Sequence, residues 1–152
     1  MNVHNTRLAL AWTALTVAFA LHVWDEAAHN FLAMYNPAAA SLRARLGAVP
    51  FPPTFTFRTW LTGLLVGLAL LLMLVPAVRR GGRWVVPAAY IYAAVHILNG
   101  TGHIVMSIAS GHLAPGVLSA PLLLVTASWL VSEAGSVSRL RRASVVAPSN
   151  DG

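Results

Sequence analysis

Residues 59–78 read TWLTGLLVGLALLLMLVPAV, twenty residues without a formal charge. That length matches the roughly 20 residues an α-helix needs to cross a hydrocarbon core of about 30 Å. No water in such a core can satisfy backbone N–H and C=O groups, so a spanning segment of this kind has to be helical. Trp60 suits one interface, and Arg79, Arg80 and Arg83 close the run at the other. Two more runs follow. Residues 84–110 contain no Arg, Asp or Glu, and residues 113–132 are entered through Pro115-Gly116, a turn and helix start. The composition agrees, with 57% hydrophobic and 9% charged residues against roughly 45–50% and about 25% in soluble domains. A soluble chain of 152 residues could not hide that much apolar surface.

The first span is the ambiguous one. Residues 8–21 are uncharged, but at 1.5 Å per residue they fall short of ~30 Å. A spanning helix must therefore run on through ALHVWDEAAHNF, carrying His22, Asp25, Glu26 and His29 into the membrane. A rival reading is a signal peptide with Arg7 ahead of the apolar run and Ala18-Phe19-Ala20 as the cleavage site. Against it, the helical period continues without Gly or Pro until Asn36-Pro37. The expected fold is all-α, a four-transmembrane-helix bundle in one domain over residues 1–135, with spans near 8–31, 59–78, 84–110 and 113–132. A proline-rich connection, residues 36–58, holds a short amphipathic piece over 38–46. Residues 136–152 read as a basic, partly disordered cytoplasmic tail.

All ten basic residues are arginine. With four spans, the N-terminus, the 79–83 loop and the tail share one side and hold Arg7, Arg79, Arg80, Arg83, Arg139, Arg141 and Arg142. The other side holds Arg43, Arg45 and Arg58. The positive-inside rule then puts both termini in the cytoplasm. The arginines flank apolar runs and form no continuous patch, so nucleic acid is not the expected partner. Arginine without lysine is a coding habit of GC-rich bacteria, and the expected location is a bacterial inner membrane, crossed several times. The chain has no cysteine, which removes disulfides, thiolate catalysis and Cys-ligated metals together.

Only four residues are acidic, and Asp25 and Glu26 stand side by side. At 100° per residue, His22, Asp25, Glu26 and His29 fall within an arc of roughly 100°. Tyr92, His96, Asn99, His103 and Ser107 share an arc of roughly 80° on the third span. Depth matches as well: Glu26 lies about 27 Å along a helix begun at Leu8, and His103 about 28 Å from Trp84. Buried ionisable groups are costly, about +2.5–3.5 kcal/mol for a centred Asp on insertion scales, and the two stripes are natural partners. Glu26-x-x-His29 is the pair with which di-iron bundles reach a metal from one helical turn. Imidazole and carboxylate ligands suit a divalent metal such as zinc, iron or manganese. His22, Glu26, His29, His96 and His103 are the candidate ligands; Asp25, Glu26 and Asn99 are the candidate catalytic groups. A plainer reading has Asp25 and Glu26 capping groups at the interface and His96 as a hydrogen-bonded core residue. Gly63-x-x-x-Gly67 reads as a helix-packing face.

His22-Val-Trp-Asp25-Glu26 resembles the motif of the HXXEE family of small integral membrane proteins. NGTGHIVMSIASGHLAPGV, residues 99–117, is similar to that family's later Asn-x-x-Gly-His stretch followed by Pro-Gly. The likeness covers most of the chain. It implies a functional core of His22, Asp25, Glu26, Asn99 and His103, with Pro115-Gly116 as a structural turn. The motif's first Glu is Asp25 here, with a shorter reach. The family supplies no reaction. Three functions stay open: a metal-dependent membrane enzyme acting on a lipid-like substrate; a metal-free acid/base isomerase or cyclase; and a proton-coupled transporter or accessory subunit. The partners expected are the lipid bilayer, a lipid-like small molecule and, left open, a second copy in a homo-oligomer.

Overall fold

The computed structural model describes residues 3–47 and 50–146, and every regular element among them is helical: α1 Val3–Ala28, α2 Phe31–Leu46, α3 Phe57–Met73, α4 Val75–Arg80, α5 Val85–Ser110 and α6 Ala120–Val146. Four helices are long and apolar enough to cross a membrane: α1, the 24-residue pair α3–α4, α5 and Ala120–Ser144 of α6. The chain therefore has the pattern of a multi-pass membrane bundle. α3 and α4 are one span with a break at Leu74. Pro76 causes the break, because its ring nitrogen has no hydrogen for the carbonyl one turn back, on Leu72.

α1 lies at the centre. Leu8, Ala11 and Leu15 are fully buried, as are Val85, Ala89 and Ala93 of α5 and Leu123, Ala127, Leu130 and Ala134 of α6. α6 packs along both α1 and α5 far more extensively than those two pack on each other. The first and third spans face each other as their polar stripes predict, but across a gap, with α6 wedged against both. Small residues explain it. Gly100 sits so close to α6 that a Cβ there would lie 3.2 Å from the Ala120 carbonyl oxygen, and alanines line the rest of the seam. The wider α1–α5 gap is bridged by large side chains. Trp12 and Tyr92 rings are 4.7 Å apart, Phe19 and His96 4.6 Å, and Thr16 meets the Tyr92 hydroxyl at 3.1 Å.

α3 is attached more lightly. Trp12 Nε1 donates to the Leu71 carbonyl at 3.0 Å, while a Cβ on Gly63 or Gly67 would meet nothing within 4 Å. Those glycines pack no helix of this chain, contrary to their expected role.

The first helix also ends earlier than expected. Asn30 takes a left-handed conformation, φ 56°, which Asn tolerates better than most residues, and α2 starts after it. Pro37, expected to stop the helix, lies inside α2. The Asn36 side chain clasps the Phe55 backbone from both sides, at 2.9 and 3.0 Å, and Tyr35 donates to the Pro53 carbonyl. The connection is thereby folded over α2.

Two further expectations change. Residues 136–146 continue α6 as helix instead of beginning a disordered tail. Arg141 anchors that extension by donating to the Gly81 and Gly82 carbonyls at 2.7 and 3.2 Å. Residues 147–152 of the expected tail lie outside the described residues. The fourth span starts at Ala120 rather than 113, since residues 111–119 form a loop. α1 runs unbroken through Ala18-Phe19-Ala20, and cleavage there would remove Leu8, Trp12 and Leu15 from the core.

Leu15→Ala opens a void among α1, α5 and α6 and should cost about 2–5 kcal/mol of unfolding free energy. Leu70→Ala, on the outward face of α3 with 55% exposure, should cost under about 1 kcal/mol. Denaturant titration of both variants in the same detergent measures the contrast.

Candidate metal centre

The wedge arrangement leaves room between α1 and α5 near the ends of the two helices, and residues 111–119 fold back into that room. The loop is held by its own sequence. Gly111 closes α5 in a left-handed conformation, Ser107 Oγ accepts the Ala114 N–H at 2.9 Å, and Gly116 turns at φ +85°. A Cβ on Gly116 would lie 2.9 Å from atoms of both the His22 and His103 rings. The glycine is what lets the loop backbone lie flat against two imidazoles.

Below that backbone, His22, Glu26 and His103 converge, all buried, with one ligand atom of each within 4.8 Å of the others. Glu26 Oε1 is the meeting point, 3.1 Å from His103 Nε2 and 3.6 Å from His22 Nε2. The two rings stand edge to face at 4.8 Å. His22 Nε2 and His103 Nδ1 have no hydrogen-bond partner. Unpaired polar atoms this deep are uncommon, because each forfeits its solvation without compensation.

Asp25 turns the other way, onto the loop. Its Oδ2 accepts from the Ser119 N–H at 2.9 Å and from the Ser119 hydroxyl at 2.7 Å, and its Oδ1 faces His29 Nδ1 at 2.8 Å. Ser119 Oγ also meets His22 Nδ1 at 2.8 Å and the Gly116 carbonyl at 3.1 Å. One hydroxyl carries one hydrogen, and a carboxylate only accepts. With that hydrogen directed at Asp25, His22 Nδ1 must be the donor to Ser119. In the neutral ring the proton then sits on Nδ1, leaving a lone pair on Nε2, the atom that faces Glu26. Such a carboxylate-to-imidazole linkage is how metal-binding histidines are usually oriented.

The remaining sequence candidates go elsewhere. His29 is half-exposed and closes the end of α1, its Nδ1 2.9 Å from the Asp25 carbonyl and hydrogen-bonded within its own turn. His96 is buried one turn or more away, its Nδ1 on the Tyr92 carbonyl at 2.9 Å and its ring between Phe19 and Tyr92. It has the hydrogen-bonded core role that was the plainer reading. Neither joins the cluster. Asn99 is exposed, on a groove that His103 also lines. Glu133 pairs with Arg7 at 3.3 Å, at the far end of the bundle. Sequence reasoning passed over Ser119, because a serine at the mouth of an apolar span carries no pattern of its own. Gly116 was read only as a turn.

A family model described as a protein of unknown function with an HXXEE motif matches residues 12–131. No curated protein and no solved structure matches the chain.

Ser119→Ala removes the link between Asp25 and His22. In ¹⁵N-histidine spectra of the metal-free protein, wild-type His22 should show a protonated Nδ1 and a bare Nε2, and the variant a mixture of both tautomers. Gly116→Ala should lower stability by about 1–3 kcal/mol through crowding of the rings and its left-handed φ, read by thermal unfolding.

Proposed function

The chain belongs to the HXXEE family, and on that footing we propose that it is a membrane-embedded, metal-dependent enzyme acting on a hydrophobic, lipid-like substrate. The convergence of His22 Nε2, His103 Nε2 and a Glu26 oxygen in a buried site carries this reading. Two imidazoles and one carboxylate form the protein ligand set of many catalytic zinc sites, in which a fourth position stays open for water or substrate. The same donors accept iron or manganese. An ionised Glu with no cation beside it would be expensive at this depth, and a divalent ion offsets that cost directly.

Asp25 and Ser119 would hold His22 in its ligand tautomer. Bound metal would supply Lewis acidity, polarising an oxygen of the substrate or its attacking water. Asn99, which lines the outward groove with His103, would orient the substrate. Seven of the ten arginines lie at one end of the spans, which supports both termini on the cytoplasmic side of the cell membrane.

A second reading has its own support. Glu26 Oε1 and His103 Nε2 stand 3.1 Å apart, close enough to trade a proton directly, so the pair could serve acid/base isomerisation without metal. The two separate on one measurement. Protein purified in detergent without chelator should hold about one transition-metal ion per chain, as a single three-ligand site requires. Glu26→Ala and His103→Ala should bring the content close to zero, and His96→Ala should leave it unchanged. Wild-type protein without metal, equal to Glu26→Ala by elemental analysis, would end the metal reading and leave the acid/base one.

A further inference from the structure

A groove runs between α2 and α5 beside the metal centre. Its volume is about 240 Å³, and its walls include Phe31 and Met34 of α2 and Met106 of α5. Three side chains with polar groups interrupt the apolar lining: Asn99, His103 and Tyr35, whose hydroxyl is taken by the Pro53 carbonyl. His103 belongs both to this groove and to the cluster with Glu26, so the groove is the route by which a membrane-soluble molecule would touch the centre. His103 is buried, and its Nδ1 has no partner. The Asn99 amide makes no hydrogen bond to any described residue. An amide without partners within a spanning segment forfeits its hydration, and a ligand oxygen would supply the acceptor it lacks; His103 Nδ1 lies instead against the loop, 2.9 Å from where a Cβ on Gly116 would stand.

Gly102 also lines the groove and is exposed, and a Cβ there would meet nothing within 4 Å. The space there is not filled by any other helix. A cavity of about 240 Å³ is smaller than the roughly 300–1,000 Å³ of pockets that enclose a whole small molecule. It suits one flexible chain rather than a fused-ring body. Methionines at positions 34 and 106 adapt to such a chain because their thioethers are unbranched and polarisable.

We propose that this groove binds one fatty-acyl chain of an ester-linked membrane lipid, with the ester carbonyl at Asn99 next to His103. The proposal rests on the metal-centre reading for its relevance to chemistry, but binding itself needs only the groove. Asn99 donates from its amide to the carbonyl oxygen, Gly102 gives the chain room, and His103 sets the distance from carbonyl to metal site.

The test uses full-length protein in vesicles of phosphatidylcholine doped with a diazirine-bearing phosphatidylcholine, with cross-links mapped by mass spectrometry. Labelling should concentrate on Met34 and Met106. Gly102→Leu adds a bulky side chain to the groove lining at a position where its Cβ meets nothing within 4 Å, and should reduce that labelling to the level of the outward α3 face while metal content stays at the wild-type value. An ether-linked analogue lacks the carbonyl and should label about fivefold less than the ester, the factor expected of one neutral hydrogen bond; Asn99→Leu should erase that preference. Unchanged labelling in Gly102→Leu, or equal labelling by ester and ether lipids, would overturn the proposal. Stronger competition by a linear prenyl alcohol than by a fatty-acyl ester would overturn the choice of lipid. Loss of metal with groove labelling intact would instead count against the enzyme reading alone, so the two fail separately.

Discussion

A carboxylate cannot remain in an apolar medium without something to answer its charge, and Glu26 is where this chain faces that requirement. Its oxygen lies between two imidazoles, one from its own helix a turn earlier and one from α5. Much else follows from bringing those helices to the right separation. α1 has to be central to present His22 and Glu26 inward, which is why its other buried positions furnish so much of the core. α5 has to stand off far enough to admit rings, and α6 wedges against both to hold that spacing. The loop before α6 then becomes the lid, because only a glycine backbone fits over paired rings.

Adjacent acids do different work here. A step of one residue turns a helix by about 100°, so Asp25 and Glu26 cannot face the same target. Glu26, with the longer reach, meets the histidines; Asp25 meets the loop and, through Ser119, the back of His22. The substitution of Asp for the Glu of the family motif is consistent with this division. A short side chain suffices to grip a backbone N–H and hydroxyl that the loop brings close, whereas meeting a histidine of another helix takes the longer glutamate.

The parts that could be read from the chain are those governed by period and length. Uncharged runs of bilayer length announced three of the long helices, the shortness of the first run required its helix to continue through Asp25 and Glu26, and the matched depth of Glu26 and His103 announced their meeting. The polar stripe on α5 was a weaker guide. Its members share a face, yet Tyr92 and His96 point at Thr16 and Phe19, Asn99 at the groove, and only His103 at Glu26. A stripe reports a face, but which neighbour lies opposite changes along a crossing helix. The break at Asn30 was hidden because Asn is an ordinary helix-surface residue until it takes a left-handed turn. Ser119 was hidden more deeply. Its role depends on a loop folding back across the bundle, a contact 94 positions from Asp25, and no local pattern encodes that.

That separation has a consequence for how the protein is made. Asp25 leaves the ribosome 94 residues ahead of the serine that satisfies it, and synthesis at roughly 5–20 residues per second makes the interval on the order of 5–20 s. For most of that time the first helix carries two acids whose partners from α5 and the following loop, His103 and Ser119, are still unwritten. Translocation machinery, interfacial water or protons must shelter them until the last hydrophobic segment arrives. Biogenesis of this bundle is thus a matter of timing: its earliest helix is the least able to rest in lipid by itself, and its final loop releases it from waiting.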